Sequence, residues 1–131
     1  MLNILRRKIT DEKVIWLVGQ ILRNVSGGRT QFHAKGIPLG NLTSQFFANV
    51  YLNELDQFVK HKLKSKYYIR YVDDFVLFHE SRDQLEKWRL QIEKFLNEKL
   101  SLELHQNKSK VMVLGNGISF LGFKIFFYHK L

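Results

Sequence analysis

Two adjacent acidic residues, Asp73 and Asp74, carry the strongest chemical signal in this 131-residue sequence. Aromatic and β-branched residues flank the pair within residues 67–78, which predicts a β-hairpin with both carboxylates at its tip. Like charges about 4 Å apart repel by about 1 kcal/mol even in water, and a divalent cation removes that cost. Such ions can stabilise the attacking and leaving oxygens of a phosphoryl transfer. Aspartate is also a common turn residue that needs no metal, so both interpretations stay open at this point.

A segment containing glycine and proline, residues 36–45, leads into the start of a predicted helix and is the second candidate site. The unpaired N–H groups and the positive dipole end of a helix N-terminus suit a triphosphate or a nucleic-acid backbone. An ordinary capped loop explains the same residues without a ligand, so this segment alone does not decide between the two.

Hydrophobic periodicity predicts the helices that must position these two sites. Apolar residues recur at helical spacing within residues 4–24, where a cap at Thr10 is expected to start a second helix. The same spacing predicts long helices over residues 43–63 and 81–100, the latter capped by Ser81. Residues 28–41 are expected to form an irregular loop.

The last part of the chain has a strand-like composition. Residues 111–114 and 119–126 are predicted strands on either side of a Gly-Asn-Gly turn at residues 115–117. The order of elements is therefore helix, helix, loop, helix, hairpin, helix and strands. This order predicts an α+β fold.

Three motifs in this order resemble the prokaryotic reverse transcriptases of group II introns, retrons, diversity-generating retroelements and phage-defence systems. The first is Gly-Ile-Pro-Leu-Gly with the following residues up to position 45, and the second is Arg-Tyr-Val-Asp-Asp-Phe at residues 70–75. The third is Phe-Leu-Gly-Phe at residues 120–123. The resemblance extends over nearly the whole chain, and it implies a bacterial RNA-directed DNA polymerase.

The resemblance also implies a role for each matching residue. Asp73 and Asp74 would be catalytic residues that bind Mg²⁺, two ions in the complete enzyme, for nucleotidyl transfer from a dNTP to the 3′-hydroxyl of a DNA primer on an RNA template. Primer contacts are implied for Tyr71, Phe120, Leu121 and Gly122. Nucleotide and template contacts are implied for Gly36, Pro38, Leu39, Gly40, Ser44, Gln45 and Lys108.

The sequence departs from many members of this family at Leu39, where they have Gln before the second glycine of the loop. An aliphatic residue there, followed by Ser44 and Gln45, is similar to the pattern of diversity-generating retroelements. Because Leu39 replaces an amide that can hydrogen-bond with an apolar side chain, we expect looser discrimination between bases.

A larger departure concerns the third carboxylate of the family, which lies on a strand upstream of the loop. Asp11, within a polar helical stretch, does not fill that role. We therefore expect residues 1–131 to form one partial palm domain, a βαββαβ layer without its first strand, and without fingers or thumb. Such a chain should bind metal weakly and not polymerise alone. The missing strand would leave strand edges through which another copy could pair.

Composition narrows the functional classes. Lys and Arg total 21 against 12 Asp and Glu, a net charge of +9, which suits a polyanionic partner or simply a soluble basic surface. The absence of cysteine excludes disulfides and thiolate chemistry. With no signal-peptide pattern and no long apolar run, a cytoplasmic protein without membrane contact is expected. Two alternative functions stay open, a non-catalytic nucleic-acid-binding or assembly module and a defence-type polymerase that works without a template.

Overall fold

The computed structural model describes residues 1–24 and 42–127. Within them the helices are α1 (Leu2–Arg6), α2 (Glu12–Asn24), α3 (Leu42–Gln57) and α4 (Arg82–Phe95). The strands are β1 (Tyr67–Tyr71), β2 (Asp74–Phe78), β3 (Ile118–Phe120) and β4 (Phe123–Ile125). None of the helices in this part of the chain has the length and apolar character that crossing a membrane requires. The mixture of helices and antiparallel hairpins confirms the α+β class.

The described residues divide into two compact units, the first ending at Asn53 and the second beginning at Glu54. In the first unit, α2 begins at a cap supplied by Asp11. Its Oδ1 accepts hydrogen bonds from the backbone N–H groups of Lys13 (2.8 Å) and Val14 (3.4 Å). The prediction of Thr10 as the cap is therefore wrong by one residue, because a carboxylate satisfies two unpaired N–H groups and also complements the helix dipole.

The core of the second unit forms where two helices end. α3 continues into a π-helical turn, Phe58–Lys62, and α4 continues into another, Leu96–Leu100. The rings of Phe58 and Phe95 stack with their centroids 4.2 Å apart. The buried apolar residues of this unit are Leu55, Val59, Trp88, Ile92, Leu96 and Leu100. Both long predicted helices are thus confirmed, as is the Ser81 cap, whose side chain accepts a hydrogen bond from the Gln84 N–H.

The hairpin expected around the acidic pair is present. β1 and β2 are antiparallel, with Tyr67 opposite Phe78 at the open end and Tyr71 opposite Asp74 at the turn. The two turn residues are therefore Val72 and Asp73. The prediction that both carboxylates occupy the tip is wrong, because Asp74 already belongs to the β2 ladder.

The predicted strands at the end of the chain are wrong in their details. Residues 111–114 pair with no strand of the described chain, and Leu114–Asn116 form a 3₁₀ turn. The run predicted as one strand, residues 119–126, instead folds back on itself as β3 and β4. The reversal occurs at Leu121 and Gly122, which both have positive φ (53° and 80°), the pattern of a type I′ turn. Glycine adopts this conformation at no steric cost. Because the turn lies within an apolar run, no polar residue in the sequence indicates it.

The two hairpins form separate two-stranded sheets within the described residues. The finer prediction, a single βαββαβ palm layer without its first strand, is not confirmed by this arrangement and stays a prediction.

Gly117 offers a test of the β3–β4 unit. Its φ of 79° and ψ of 139° lie in a region that is nearly exclusive to glycine, and a Cβ there would be 2.7 Å from Lys124 Cε and 2.8 Å from Phe126 Cε1. We expect Gly117→Ala to lower the free energy of unfolding by about 1–3 kcal/mol in urea titrations. Gly115→Ala is the matched control, because a Cβ at Gly115 meets no atom within 4 Å. Equal urea midpoints for the two variants would contradict the described backbone.

Candidate active site

The turn between β1 and β2 places the two carboxylates next to each other at the end of a short hairpin. Asp73 is the second turn residue, and Asp74 is the first residue of β2. Both residues are exposed. Among the described residues, no ion pair involves either carboxylate. Neither carboxylate is therefore neutralised by a direct salt bridge within this part of the chain.

Val72, the first turn residue, has an unusual backbone conformation. Its φ is +53°, whereas Asp73 is not among the residues with positive φ. Positive φ at the first turn residue alone is the type II′ pattern, in which this position is normally glycine. The left-handed conformation costs roughly 1–2 kcal/mol in a residue other than glycine and is especially unusual for a β-branched one. The turn therefore needs interactions that stabilise it.

Alternating residues of β1 have different surroundings on the two faces of the hairpin. Tyr67, Ile69 and Tyr71 are 55–57% exposed and share one face. Because Tyr71 lies directly opposite Asp74, the side chains of these two residues share that face. Tyr68 and Arg70 lie on the other face.

Asp56, in the last turn of α3, holds the second face of the hairpin. Its Oδ1 accepts hydrogen bonds from Arg70 Nε (2.8 Å) and Tyr68 Oη (2.7 Å), and its Oδ2 accepts one from Arg70 Nη2 (2.6 Å). The remaining terminal nitrogen of Arg70, Nη1, donates to the carbonyl oxygen of Val72 at 2.6 Å. One guanidinium thus joins the end of α3 to the turn that carries the acidic pair.

The pKa values in this cluster follow from the same contacts. Burial acts to raise the pKa of Asp56, but hydrogen bonds from Arg70 and Tyr68, with the charges of Arg70 and Lys60, outweigh it and keep that pKa below its usual value. The hydrogen bond to Asp56 raises the pKa of Arg70. Burial and then the contact with Asp56 raise the pKa of Tyr68 well above its usual value. Asp56 and Arg70 are therefore a charged pair at neutral pH.

The chemistry of Asp73 and Asp74 fits part of a magnesium site. Carboxylate oxygens are the hard ligands that Mg²⁺ takes, and it commonly binds through one or two carboxylates together with water and substrate phosphates. Within residues 1–24 and 42–127 there is no cluster of three or more His, Cys, Asp or Glu side chains arranged to bind a metal. In the described chain, Asp73 and Asp74 are therefore two neighbouring candidate ligands without a third His, Cys, Asp or Glu grouped with them.

Of the other residues implied in nucleotide or template contacts, the loop residues Gly36, Pro38, Leu39 and Gly40 lie outside the described residues, as does the side chain of Ser44. Gln45 is exposed in the first turn of α3. Lys108 is exposed in a tight turn, where the His105 carbonyl accepts hydrogen bonds from the N–H groups of Lys108 and Ser109 at 3.0 Å.

The residues implied in primer contacts divide between the two hairpins. Tyr71 lies beside the acidic pair, opposite Asp74. Phe120 ends β3, and Leu121 and Gly122 form the β3–β4 turn. The structure therefore brings Tyr71 together with the carboxylates, whereas the other three belong to a separate sheet.

Arg70 and Asp56 contribute to the site but belong to none of the candidate residues that the sequence motifs indicate. The available signal was an arginine that alternates with aromatic residues in a predicted strand, a position where a charged side chain needs a partner when it is buried. The partner lies 14 residues earlier in a different predicted element, so periodicity alone does not identify it.

An open groove of about 400 Å³ lies at the opposite end of the β1–β2 hairpin. Tyr67, Phe78 and Leu85 line it together with Met112 and Ile118. Since a five-residue strand extends about 13 Å between its first and last residues, this groove is separated from the acidic turn by the length of the hairpin.

Comparison with known proteins identifies the class to which this fold and these motifs belong. The family model described as reverse transcriptase (RNA-dependent DNA polymerase) matches residues 2–125. The chain belongs to the reverse transcriptase family, and the resemblance seen in its motifs is confirmed.

Individual relatives are distant in sequence. Protein YkfC of Escherichia coli K12 is 24% identical over 159 residues, covering 95% of this chain and 42% of its own length. The group II intron-encoded protein LtrA of Lactococcus lactis subsp. cremoris is 23% identical over 189 residues, covering 95% of this chain and 32% of its own length. An uncharacterised 91 kDa protein in a cob intron of Schizosaccharomyces pombe is 32% identical over 51% of this chain. The chain thus spans less than half the length of these relatives.

The depressed pKa of Asp56 predicts a specific pH dependence. Its ion pair stabilises the fold fully above the unfolded-state pKa of about 4, and this contribution is lost as the pH falls through the lower folded-state pKa. We expect Asp56→Asn to lower the free energy of unfolding by about 2 kcal/mol near pH 7, because Arg70 keeps its charge. Urea titrations from pH 2 to pH 7 should show the difference between the two proteins shrinking on the acid side.

The control for Asp56→Asn is Asp83→Asn, which removes an exposed carboxylate from the first turn of α4. We expect this control to lower the free energy of unfolding by less than about 1 kcal/mol, because among the described residues its carboxylate interacts only with the dipole of α4. A pH-independent difference for Asp56→Asn, or an equal effect of the control, would contradict a stabilising charged pair.

Proposed function

We propose that this chain forms part of the palm of an RNA-directed DNA polymerase that copies an RNA template by transferring the nucleotidyl group of each dNTP to the 3′-hydroxyl of a DNA primer, with pyrophosphate as the leaving group. The observation that carries the proposal is the pair of adjacent exposed carboxylates, Asp73 and Asp74, at a stabilised turn in a chain of this family. Asp73 would be the main metal ligand, with Asp74 a weaker ligand or an electrostatic partner.

The proposed metal is Mg²⁺, with two ions in the complete enzyme. When bound, it would lower the barrier to nucleotidyl transfer by neutralising charge on the attacking and leaving oxygens. The residues of this chain would bind the metal and contact the primer. Asp73 and Asp74 offer oxygen ligands, and Tyr71, on the same face as Asp74, offers an exposed aromatic ring close to the proposed primer end.

The further binding roles come from the family pattern. We propose nucleotide and template contacts for the loop that leads into α3 and for Lys108, and primer contacts for the turn between β3 and β4. The net charge of +9 supports a nucleic-acid partner, because neutralising phosphates releases counterions. The group II intron-encoded relative supports a retroelement context for this polymerase.

Two carboxylates are fewer than the three with which the family builds its site, so we propose that the isolated chain does not extend primers. A longer protein containing the upstream strand of the palm would supply the third ligand. Because catalytic groups act as a unit, losing one member can remove most of the rate.

Primer extension on an RNA template with Mg²⁺ tests this proposal. The isolated chain is compared with a protein in which it is joined to the upstream strand and fingers of its own reading frame. We expect extension by the longer protein only, and a loss of roughly 100-fold or more on Asp73→Asn. Asp83→Asn, which removes a remote exposed carboxylate, is the control and should leave extension unchanged. Extension that survives Asp73→Asn would refute the assignment of the metal ligands.

The same experiment separates the two alternative functions. A non-catalytic nucleic-acid-binding module is favoured by the absence of a third ligand among the described residues, and in that case neither the isolated chain nor the longer protein would extend the primer. A defence-type polymerase would extend DNA when the template is omitted.

We also propose that copies of the chain pair through strand edges. β1 and β2 form a two-stranded sheet in the described chain, so each has one edge without a neighbouring strand there. Light scattering at micromolar concentration should then show a mass above that of the monomer, and a clean monomer would contradict edge pairing.

A further inference from the structure

We infer that Arg70 is a positioning residue for the acidic pair, and that Asp56 fixes Arg70 for this purpose. The inference rests on the proposed function only where it takes Asp73 and Asp74 as metal ligands. The effect of Arg70 on the conformation of the turn follows from the contacts of Arg70 alone.

Arg70 contacts the backbone of the turn directly. Arg70 Nη1 donates to the carbonyl oxygen of Val72 at 2.6 Å. This carbonyl belongs to the same planar peptide unit as the N–H of Asp73. Holding the carbonyl therefore restricts ψ of Val72 and φ of Asp73, and these two angles set the direction of the Asp73 Cα–Cβ bond. Arg70 thus acts on the carboxylate through the backbone, without touching it.

This contact stabilises an unusual backbone conformation. Val72 has a φ of +53°, which a β-branched residue does not adopt by preference. Strained backbone of this kind persists only when surrounding contacts determine it. A charge-assisted hydrogen bond to the carbonyl of the strained residue is such a contact.

Arg70 itself is held in place by its contacts with Asp56. Nε and Nη2 bind the two carboxylate oxygens of Asp56 at 2.8 and 2.6 Å, and the Arg70 side chain is only 10% exposed. Tyr68 Oη adds a hydrogen bond to Asp56 Oδ1 at 2.7 Å. With both carboxylate oxygens engaged, the planar guanidinium has a fixed orientation, and its Nη1 is directed to the turn. Lysine has one ammonium and no planar fork, so it cannot reproduce this set of contacts.

A role limited to joining the hairpin to α3 needs only the two bonds to Asp56. The bond to Val72 adds nothing to that connection, since Arg70 and Val72 are two residues apart in the same hairpin. Its effect is local to the turn, and the residue that follows Val72 is Asp73.

Nuclear magnetic resonance of the isolated chain tests this inference without any need for catalysis. The three-bond coupling between H–N and Hα of Asp73 reports its φ, and broadening of the Asp73 and Asp74 amide signals by Mn²⁺ reports metal binding. We expect Arg70→Lys to change the Asp73 coupling and the Asp73 amide shift, and to raise the Mn²⁺ concentration for half-broadening about 10-fold. Arg89→Lys is the control, because Arg89 also pairs with a carboxylate, Glu86, but lies on α4.

A second variant distinguishes positioning from a merely structural role. Val72→Gly removes the conformational strain, because glycine adopts positive φ readily. If Arg70 serves to hold this conformation, Arg70→Lys should weaken Mn²⁺ binding much less in the Val72→Gly background than in the unchanged chain. If Arg70 only joins strand and helix, the glycine should give no rescue, and the inference is wrong.

The unchanged chain gives a further measurement in case Arg70→Lys does not fold. Rotation of the Arg70 guanidinium and solvent exchange of its N–H groups should both be slow compared with those of Arg89. Fast rotation of Arg70, or an Asp73 coupling unchanged by Arg70→Lys, would overturn the inference. An absence of Mn²⁺ broadening at Asp73 and Asp74 in the unchanged chain would instead refute the metal site of the proposed function, and the Asp73 coupling would still decide the role of Arg70.

Discussion

The ion pair between Asp56 and Arg70 is the interaction on which the geometry of the candidate site depends. Both charges are partly removed from water, with side-chain exposures of 26% and 10%, so each needs the other as its partner. Such pairs add little net stability compared with a well-packed apolar pair, since desolvation opposes the attraction. The advantage of such a pair is that it fixes the orientation of the two side chains. Two parallel hydrogen bonds specify one orientation of the guanidinium, which apolar contacts between a strand and a helix cannot do.

The chain connectivity makes this pair easy to form. Only residues 63–66 separate the π-helical turn that follows α3 from the first residue of β1. Within that link Lys64 adopts positive φ, and the N–H of Ser65 bonds to the Val59 carbonyl at 3.2 Å, which ends the helix sharply. The hairpin therefore starts at a defined position relative to the last turn of α3, where Asp56 lies. The geometry of the turn consequently depends on a helix end that is close in sequence.

The helices and the first hairpin were predictable from sequence because their signals are local. Helical spacing of apolar residues identified α2, α3 and α4, and alternating aromatic residues identified β1 and β2. The register was not predictable to one residue, which is why Asp74 was expected in the turn and is found in the strand. The β3–β4 reversal was missed because Leu121 and Gly122 interrupt an apolar run without any polar turn signal.

The candidate site was predictable only in part, for a related reason. Adjacent carboxylates are visible in the sequence, and the family pattern assigns them a role. The contacts that fix them are not visible, because the pairing of Asp56 with Arg70 depends on how a helix end meets a strand face. The positive φ of Val72 was equally inaccessible, since valine is among the residues least expected to adopt it.

The two faces of the β1–β2 hairpin differ in their chemical surroundings. One face is fixed by the charged network below the turn, while the other presents Tyr67, Ile69 and Tyr71 to solvent beside Asp74. In the described chain no cationic side chain pairs with Asp73 or Asp74, although the whole chain carries a net charge of +9. A polyanion attracted by that overall charge would be repelled locally by the two carboxylates. A divalent cation bound beside the two carboxylates would relieve both repulsions, and this is the physical argument for the proposed metal site.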